Sequence, residues 1–163
     1  MKKLQKLVMS AMFASLICVA TIVIQIPSPL SGYINLGDAV ILFCSACVSP
    51  LYAFSAAAIG SALADVFSGF MLYAPATFLI KGLMALVSCT VFKVFKEKTG
   101  NFAARLLGGI ISEIIMISGY YVFEGFIYGF GASLVNILPN AVQGGVGLVL
   151  GLILIKLFKK ITF

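Results

Sequence analysis

The sequence contains no histidine and no tryptophan, and only 10% of its 163 residues are charged. Without histidine, a His-based catalytic triad, an HExxH zinc site and a His-ligated haem are all excluded. A soluble domain is typically about 25% charged and about 45–50% apolar, whereas this chain is 62% hydrophobic. So few charges cannot cover a water-facing surface, and the composition therefore indicates an integral membrane protein.

Cysteine is also scarce, and the four cysteines all lie in apolar stretches, where cysteine behaves as a small hydrophobic residue. Cys44 and Cys47 form a C-x-x-C, but it lies within a predicted spanning helix and not beside a βαβ pattern, so no redox role, metal site or cofactor is predicted. The chain has no P-loop and no nucleophile–base arrangement. It is therefore not expected to be an enzyme, and any active transport must draw energy from an ion gradient or from partner subunits.

The apolar stretches predict an all-α protein in which six transmembrane helices form one membrane domain over residues 1–163. A spanning helix needs about 20 residues, so six helices use about 120 and leave only short connections. Pro139 lies within the last stretch and predicts a kink there. The predicted helices are 4–26, 36–48, 51–67, 76–95, 103–123 and 132–158.

Apart from Lys81, the basic residues form three clusters, one at each end of the chain and one between the fourth and fifth predicted helices. With six crossings all three clusters fall on one side, while the opposite connections near 27–36, 68–75 and 124–131 contain no lysine or arginine. The positive-inside rule then places both termini in the cytoplasm of a multi-pass protein of the cell membrane. The net charge of +6 is thus a topology signal and does not indicate nucleic-acid binding. The clusters are Lys2, Lys3 and Lys6; Lys93, Lys96, Lys98 and Arg105; and Lys156, Lys159 and Lys160.

Five ionisable residues lie within or beside the apolar stretches, where a charge costs about 2.5–3.5 kcal/mol at bilayer depth. Four of them fall in the outer half of the six-helix arrangement, and the fifth lies near mid-membrane. Structural roles remain open for each, such as a helix-start charge or an ion pair between a carboxylate and the lysine. The residues are Asp38, which starts a helix; Asp65 and Lys81, which could pair; Glu124, at a helix end; and Glu113, which needs a partner on another helix or another subunit.

Polar side chains also form stripes on the last two predicted helices. Glu113, Tyr120 and Glu124 share a face of the fifth, and Asn136, Asn140 and Gln143 share a face of the sixth. Amides in an apolar helix either bond a neighbouring helix or line a wet pocket. With nearby tyrosines, including Tyr33 and Tyr73, these faces suit a small polar aromatic molecule; hydrogen bonding between helices is the alternative.

Four short motifs carry a family resemblance. They are Gly32-Tyr33-Ile34-Asn35-Leu36-Gly37-Asp38, Gly60-Ser61-Ala62-Leu63-Ala64-Asp65, Tyr73-Ala74-Pro75-Ala76-Thr77 and Leu79-Ile80-Lys81-Gly82. The sequence resembles the substrate-binding S component of energy-coupling factor (ECF) vitamin transporters, in the riboflavin-type or hydroxymethylpyrimidine/pyridoxine-type branch. The resemblance implies a pocket open to the outside with the 27–35 loop as its lid. It also implies a membrane coupling subunit, two cytoplasmic ATPases and delivery by toppling of the loaded subunit in the bilayer.

On this interpretation the ligand is a water-soluble vitamin or precursor, with a pyrimidine or pyridine compound favoured and riboflavin next. The family's small-residue face on the first helix, which meets the coupling subunit, corresponds here to Ser10, Ala11, Ala14 and Ser15. The alternative is a stand-alone secondary transporter or channel in which Lys81 and the carboxylates relay protons. The residues expected around the vitamin are Tyr33, Asn35, Asp38, Lys81, Tyr120, Glu124, Asn136 and Asn140.

Overall fold

A computed structural model describes residues 3–30 and 32–158, and these are almost entirely helical. Strands β1 (Ile26–Pro27) and β2 (Tyr33–Ile34) pair antiparallel between the first two helices. Lys2, Lys159 and Lys160 of the basic clusters, and Ser31 of the predicted lid, lie outside the described residues. The helices are α1 Lys3–Val23, α2 Gly37–Cys47, α3 Pro50–Phe67, α4 Ala74–Thr99, α5 Asn101–Tyr128, α6 Phe130–Ser133 and α7 Ile137–Leu157, with a 3₁₀ turn at Leu134–Asn136.

Glycine and proline set several of the helix ends. Pro50 occupies the first turn of α3, where its missing N–H costs no hydrogen bond. Gly100 and Gly129 follow α4 and α5 with φ of +82° and +93°, which residues with a Cβ rarely adopt. Pro139 lies in the first turn of α7. The 3₁₀ turn directly before α7 interrupts the helix that the sequence predicts as continuous over 132–158.

Helix α5 continues past Gly125, which the sequence analysis assigns to a loop. Gly125 is buried, and a Cβ there would lie 2.4 Å from the ring of Phe130. The glycine therefore allows α6 to fold back closely on the end of α5. Its role is close packing between α5 and α6, which the presence of a glycine in the sequence does not distinguish from a loop.

Helix α2 forms the centre of the bundle, because all eleven of its residues are buried. It packs chiefly against α7, α1 and α4, while α4 lies between α3 and α5 and α1 packs on α3. Glycines on α7 allow its close approach to α2: a Cβ at Gly147 would lie 2.8 Å from Asp38 Cβ, and one at Gly151 would lie 2.9 Å from Leu42 Cβ.

Five helical segments are long and apolar enough to cross a membrane, counting Phe130–Leu157 as one. Their outer faces carry exposed apolar side chains such as Leu51 and Phe126, as expected of a lipid-facing surface. Helix α2 is shorter: eleven residues rise roughly 16 Å, about half of a bilayer core of about 30 Å. The fold is that of an all-α membrane protein, and the count of six crossings with cytoplasmic termini stays a prediction.

The two ends of the bundle differ in charge. Lys6 of α1 and Lys93 and Lys96 of α4 line one shared depression, and the Arg105 guanidinium lies 3.9 Å from the ring centre of Phe92. The antiparallel helices thus gather the described members of the predicted basic clusters at one end. The carboxylates and amides predicted to form a site gather at the other.

Candidate functional site

A small cavity lies at the end of the bundle opposite the basic residues. Its volume is about 30 Å³, enough for roughly two water molecules and far below the roughly 300–1,000 Å³ of ordinary ligand pockets. The loop between α1 and α2 covers it, and α3, α4, α5 and α7 supply the remaining walls. The lining residues are Ser28, Gly32, Tyr33, Asn35, Asp65, Phe70, Tyr73, Thr77, Tyr120, Glu124, Asn140 and Gln143.

Hydrogen bonds hold this covering loop, defined here as residues 24–30 and 32–36, against the end of α3 and the α3–α4 connection. The Tyr33 hydroxyl donates to Asp65 Oδ1 over 2.6 Å, and Gln25 Nε2 donates to Ser68 Oγ over 2.7 Å. The Tyr73 hydroxyl donates to the Leu30 carbonyl over 3.0 Å. The loop is therefore fastened at several points along its length, and a ligand larger than the cavity enters only when it moves.

The Tyr33–Asp65 bond has a defined polarity. Burial, and then the neighbouring Asp65 carboxylate, raise the pKa of the Tyr33 hydroxyl well above its ordinary value. Tyr33 therefore stays protonated and donates to Asp65. Its ring packs at 4.8 Å between centroids on Phe70, which forms part of the same wall.

Two buried carboxylates, Asp65 and Glu124, face the cavity, with exposed fractions of 5% and 2%. Glu124 Oε1 accepts a hydrogen bond from Asn136 Nδ2 over 2.7 Å and lies 3.3 Å from the Tyr73 hydroxyl, whose single hydrogen it shares with the Leu30 carbonyl. Glu124 Oε2 is buried and has no hydrogen-bond partner among the described residues. Among the residues that the structure describes, no lysine or arginine lines the cavity. Asp65 and Glu124 thus supply buried hydrogen-bond acceptors to the cavity.

Aromatic rings supply the other walls. The Tyr120 and Thr77 hydroxyls lie 2.9 Å apart, and the Lys81 ammonium lies 5.6 Å from the centre of the Tyr120 ring. Such rings provide flat apolar surface with a polar edge, which suits a planar heterocycle.

A buried polar network lies beside the cavity at the start of α2. Lys81 forms an ion pair with Asp38 Oδ1, and Gln143 Nε2 donates to Asp38 Oδ2 over 2.6 Å. Gln143 Oε1 accepts from the backbone N–H of Asn35 over 2.9 Å and from its Nδ2 over 3.3 Å. Asn35 Oδ1 in turn accepts from the N–H of Gly37 over 2.9 Å, in the first turn of α2. The network connects the covering loop to α2, α4 and α7.

The structure separates the eight residues expected around a ligand into two groups. Tyr33, Asn35, Tyr120, Glu124 and Asn140 line the cavity. The other three do not line it but contact its neighbours or each other: Asn136 donates to Glu124, and Asp38 and Lys81 form an ion pair.

Further corrections concern residues that the sequence left open or missed. Lys81 pairs with Asp38 and not with Asp65, which accepts from Tyr33 instead. Asp65 is recognisable as a charged residue in an apolar stretch, and Gln143 is predicted on the polar face of the sixth helix, but neither is among the residues expected around the ligand; both line the cavity. Ser28 falls within the predicted 27–35 lid and Thr77 within one of the four motifs, but neither is among the residues expected around the ligand. Phe70 carries no such signal and reaches the cavity only through the fold.

Glu113 is buried near the same network. It lies against the glycine face of α7: a Cβ at Gly144 would lie 3.0 Å from Glu113 Oε2, and one at Gly147 would lie 3.4 Å from Glu113 Oε1. Neither carboxylate oxygen has a hydrogen-bond partner among the described residues. The side chain faces the bundle interior and does not line the cavity.

The small residues of α1 line a second, apolar groove between α1 and α3, of about 510 Å³. Ser10 Oγ donates to the Tyr52 carbonyl over 2.9 Å, and Ala14 meets Gly60, where a Cβ would lie 2.4 Å from the Ala14 carbonyl oxygen. These two residues hold α1 on α3, whereas Ala11 and Ser15 stay exposed.

Comparison with known proteins places this architecture. The family model of the ECF-type riboflavin transporter S component matches residues 1–160. The chain belongs to this family. An uncharacterized protein of Pyrococcus woesei, described as lying in the gap 3′ region, is 33% identical over 136 residues, which is 83% of this chain and 88% of that protein. The chain is thus a multi-pass membrane protein and the substrate-binding subunit of an ECF transporter, not an enzyme. This S component carries its cavity at the end away from its basic residues.

Proposed function

We propose that this S component binds a small nitrogen heterocycle of the vitamin class from outside the cell, with a hydroxymethylpyrimidine- or pyridoxine-like compound favoured. The observation that carries the proposal is the pair of buried carboxylates, Asp65 and Glu124, in a lining that contains no basic residue among those described. A carboxylate accepts hydrogen bonds and does not donate. The ligand is therefore one that presents N–H or O–H donors or a positive charge.

Aminopyrimidines and pyridoxine meet this requirement. An aminopyrimidine presents an exocyclic amine beside a basic ring nitrogen, so its protonated edge donates two parallel hydrogen bonds to one carboxylate. Pyridoxine presents a protonatable ring nitrogen and hydroxyl groups. Glu124, whose Oε2 lacks a partner among the described residues, is the proposed acceptor, and Tyr120 and Phe70 offer faces for the ring.

Riboflavin is the second candidate, and the family description favours it. Its pyrimidinedione edge carries one N–H between two carbonyls, so a carboxylate that accepts from the N–H also meets carbonyl oxygens. Its ribityl hydroxyls, in contrast, donate well to Asp65 or Glu124. The two candidates therefore use the carboxylates differently, and this difference makes them separable.

Direct binding to the purified protein in detergent tests the proposal. Titration calorimetry with hydroxymethylpyrimidine, pyridoxine and riboflavin identifies the ligand, and bound ligand raises the melting temperature. For the favoured ligand, Glu124→Gln is expected to weaken binding about 10- to 100-fold, because a hydrogen bond to a charged group contributes about 1.5–3 kcal/mol. Glu97→Gln, at an exposed position at the end of α4, is the matched control and leaves the affinity unchanged. Tight riboflavin binding with no response to the pyrimidine or pyridine compounds would overturn the favoured substrate.

The proposed partners are a membrane coupling subunit and two cytoplasmic ATPases, with delivery by toppling of the loaded S component. The proposed contact is the groove between α1 and α3, where Ala11 and Ser15 are exposed and small enough to admit a partner helix. Ser15→Trp is expected to abolish co-purification with the coupling module and leave vitamin binding intact. Ser118→Trp, an exposed serine on α5, is the matched control and retains assembly. Assembly that survives Ser15→Trp would move the docking face elsewhere.

A further inference from the structure

The carboxamide of Gln143 lies between two neighbours of opposite hydrogen-bonding character. On one side the Asp38 carboxylate only accepts, and it takes the Nε2 hydrogen at 2.6 Å. On the other side Asn35 only donates to it, through its backbone N–H at 2.9 Å and its Nδ2 at 3.3 Å, both to Oε1. All three residues are buried in the interior of the bundle.

A carboxamide can occupy two orientations of nearly the same shape, and its surroundings decide between them. In the flipped orientation, Oε1 of Gln143 faces a carboxylate oxygen and Nε2 faces the two donors of Asn35. Each contact of the Gln143 carboxamide then joins two acceptors or two donors, and Asn35 loses its hydrogen bonds to Gln143. Both neighbours therefore impose the observed orientation, and the Asp38 carboxylate is one of its two determinants.

Lys81 keeps that side fixed. Its ammonium pairs with Asp38 Oδ1 and leaves Oδ2 for Gln143. A charged acceptor held by a buried cation is a strong and orientation-specific partner. Asn35, at the far end of this chain of bonds, is the point where the covering loop joins α2, and its side chain also lines the cavity.

We propose that Asp38 is a positioning residue: it fixes the polarity of the Gln143 carboxamide, and this polarity holds Asn35 and keeps the covering loop closed over the cavity. The consequence for vitamin capture rests on the proposed function, since it assumes that the cavity is the vitamin site. The closing of the loop itself does not depend on which ligand is bound.

Three variants separate polarity from charge. In Asp38→Asn, the Lys81 ammonium draws the new amide oxygen, so the amide nitrogen faces Gln143 and forces it to flip. In Asp38→Asn/Lys81→Met the cation is gone, and the amide at position 38 is free to turn its oxygen back to Gln143 Nε2. In Asp38→Leu/Lys81→Met both charges are also gone, but no acceptor remains for Gln143. The two double variants are matched in charge, and only Asp38→Asn/Lys81→Met retains an acceptor for Gln143.

The readout is the rate at which a membrane-impermeant maleimide labels Asn140→Cys, a cavity position, in the full-length protein without any vitamin. The native cysteines are buried, and the protein without the reporter gives the background rate. Asp38→Asn is expected to speed labelling about tenfold or more, since each displaced donor loses a buried hydrogen bond. Asp38→Asn/Lys81→Met is expected to return close to the parent rate, and Asp38→Leu/Lys81→Met is expected to label fast.

Equal labelling of the two double variants would overturn the proposal, as would a parental rate in a folded Asp38→Asn. If Asp38→Asn does not fold, as judged by its helical circular dichroism and elution profile, the two charge-free double variants decide the question. Because the assay contains no vitamin, failure of the proposed substrate leaves this result untouched. Failure of the labelling pattern likewise leaves the binding data unaffected.

Discussion

At the scale of single residues, Asp38 and Lys81 form an ion pair in the interior of the bundle, with exposed fractions of 0% and 3%. Removing two charges from water costs much of what their attraction returns, so such a pair is a modest source of net stability. The same burial makes each partner depend on the other, because neither can be compensated by solvent.

Lys81→Met therefore tests this dependence. The substitution is expected to lower the free energy of unfolding by about 3–5 kcal/mol, because it leaves the Asp38 charge buried and unpaired. Thermal unfolding in detergent measures the change, and Lys98→Met, at an exposed lysine near the end of α4, serves as the control. Equal melting temperatures for the two variants would show that the pair contributes no stability.

In contrast to Lys81→Met, Glu113→Gln is expected not to lower the stability of the protein. Neither Glu113 oxygen has a hydrogen-bond partner within the described residues, so an ionised carboxylate there is unfavourable and a neutral amide of the same shape is tolerated. The melting temperature should stay unchanged or rise. A fall as large as that of Lys81→Met would mean that Glu113 is itself a partner of Lys81.

The sequence identified these ionisable residues but not their pairing. Asp38, Asp65, Lys81, Glu113 and Glu124 were recognisable because charge is costly in an apolar helix. Which carboxylate forms an ion pair with Lys81 depends on how α2 and α4 are rotated against each other. The spacing of residues along one helix does not indicate this rotation.

At the scale of elements, the glycines of α7 decide how closely it approaches α2. Gly147 and Gly151 face Asp38 and Leu42 with no room for a side chain. Gly145, on another face of the same helix, has no neighbouring atom within 4 Å of a built Cβ. The same residue type thus serves packing at one position and has open space at another.

Gly147→Val should separate α7 from α2 and lower the free energy of unfolding by about 1–3 kcal/mol, as expected of an overpacked interface. Because Gln143 lies one turn away on α7, the affinity for the vitamin should fall as well. Gly145→Val is the matched control, and both are measured by thermal unfolding and by calorimetry. Comparable stability of the two variants would contradict the close packing of α2 and α7.

Helices were predictable where long apolar stretches define them, as for α1, α3 and α4. The end of α5 and the start of α7 were not, since Gly125 lies inside α5 and packs against Phe130 of α6, and a 3₁₀ turn precedes α7. The hairpin of β1 and β2 in the covering loop has only two residues per strand, too short to produce a periodic pattern.

At the scale of the whole molecule, charge is sorted by end: basic residues lie at one end of the bundle, and the buried carboxylates and amides of the cavity lie near the other. The sorting follows from an antiparallel helix order, which a sequence reveals through the positions of its lysines. The composition could thus predict membrane insertion, and the positions of the lysines could predict that charge is sorted by end. The identity of the ligand depends on side-chain geometry that only the fold assembles.

Labelling of single cysteines in intact cells tests the predicted orientation. Met71→Cys, in the exposed α3–α4 connection, should react with a membrane-impermeant reagent from outside, and Glu97→Cys only after permeabilisation. The parent protein, whose four cysteines are buried, gives the background. Reaction of both positions from the same side would refute the proposed topology.

The cavity of about 30 Å³ beneath the covering loop has a kinetic consequence. Under the proposed function, a space for roughly two waters admits no vitamin, so capture waits for a conformational step that precedes contact. In stopped-flow measurements the observed association rate should level off at high ligand concentration, at a value equal to the opening rate and shared by every ligand that enters. The protein would then bind its ligand no faster than its own opening motion, whatever the ligand concentration.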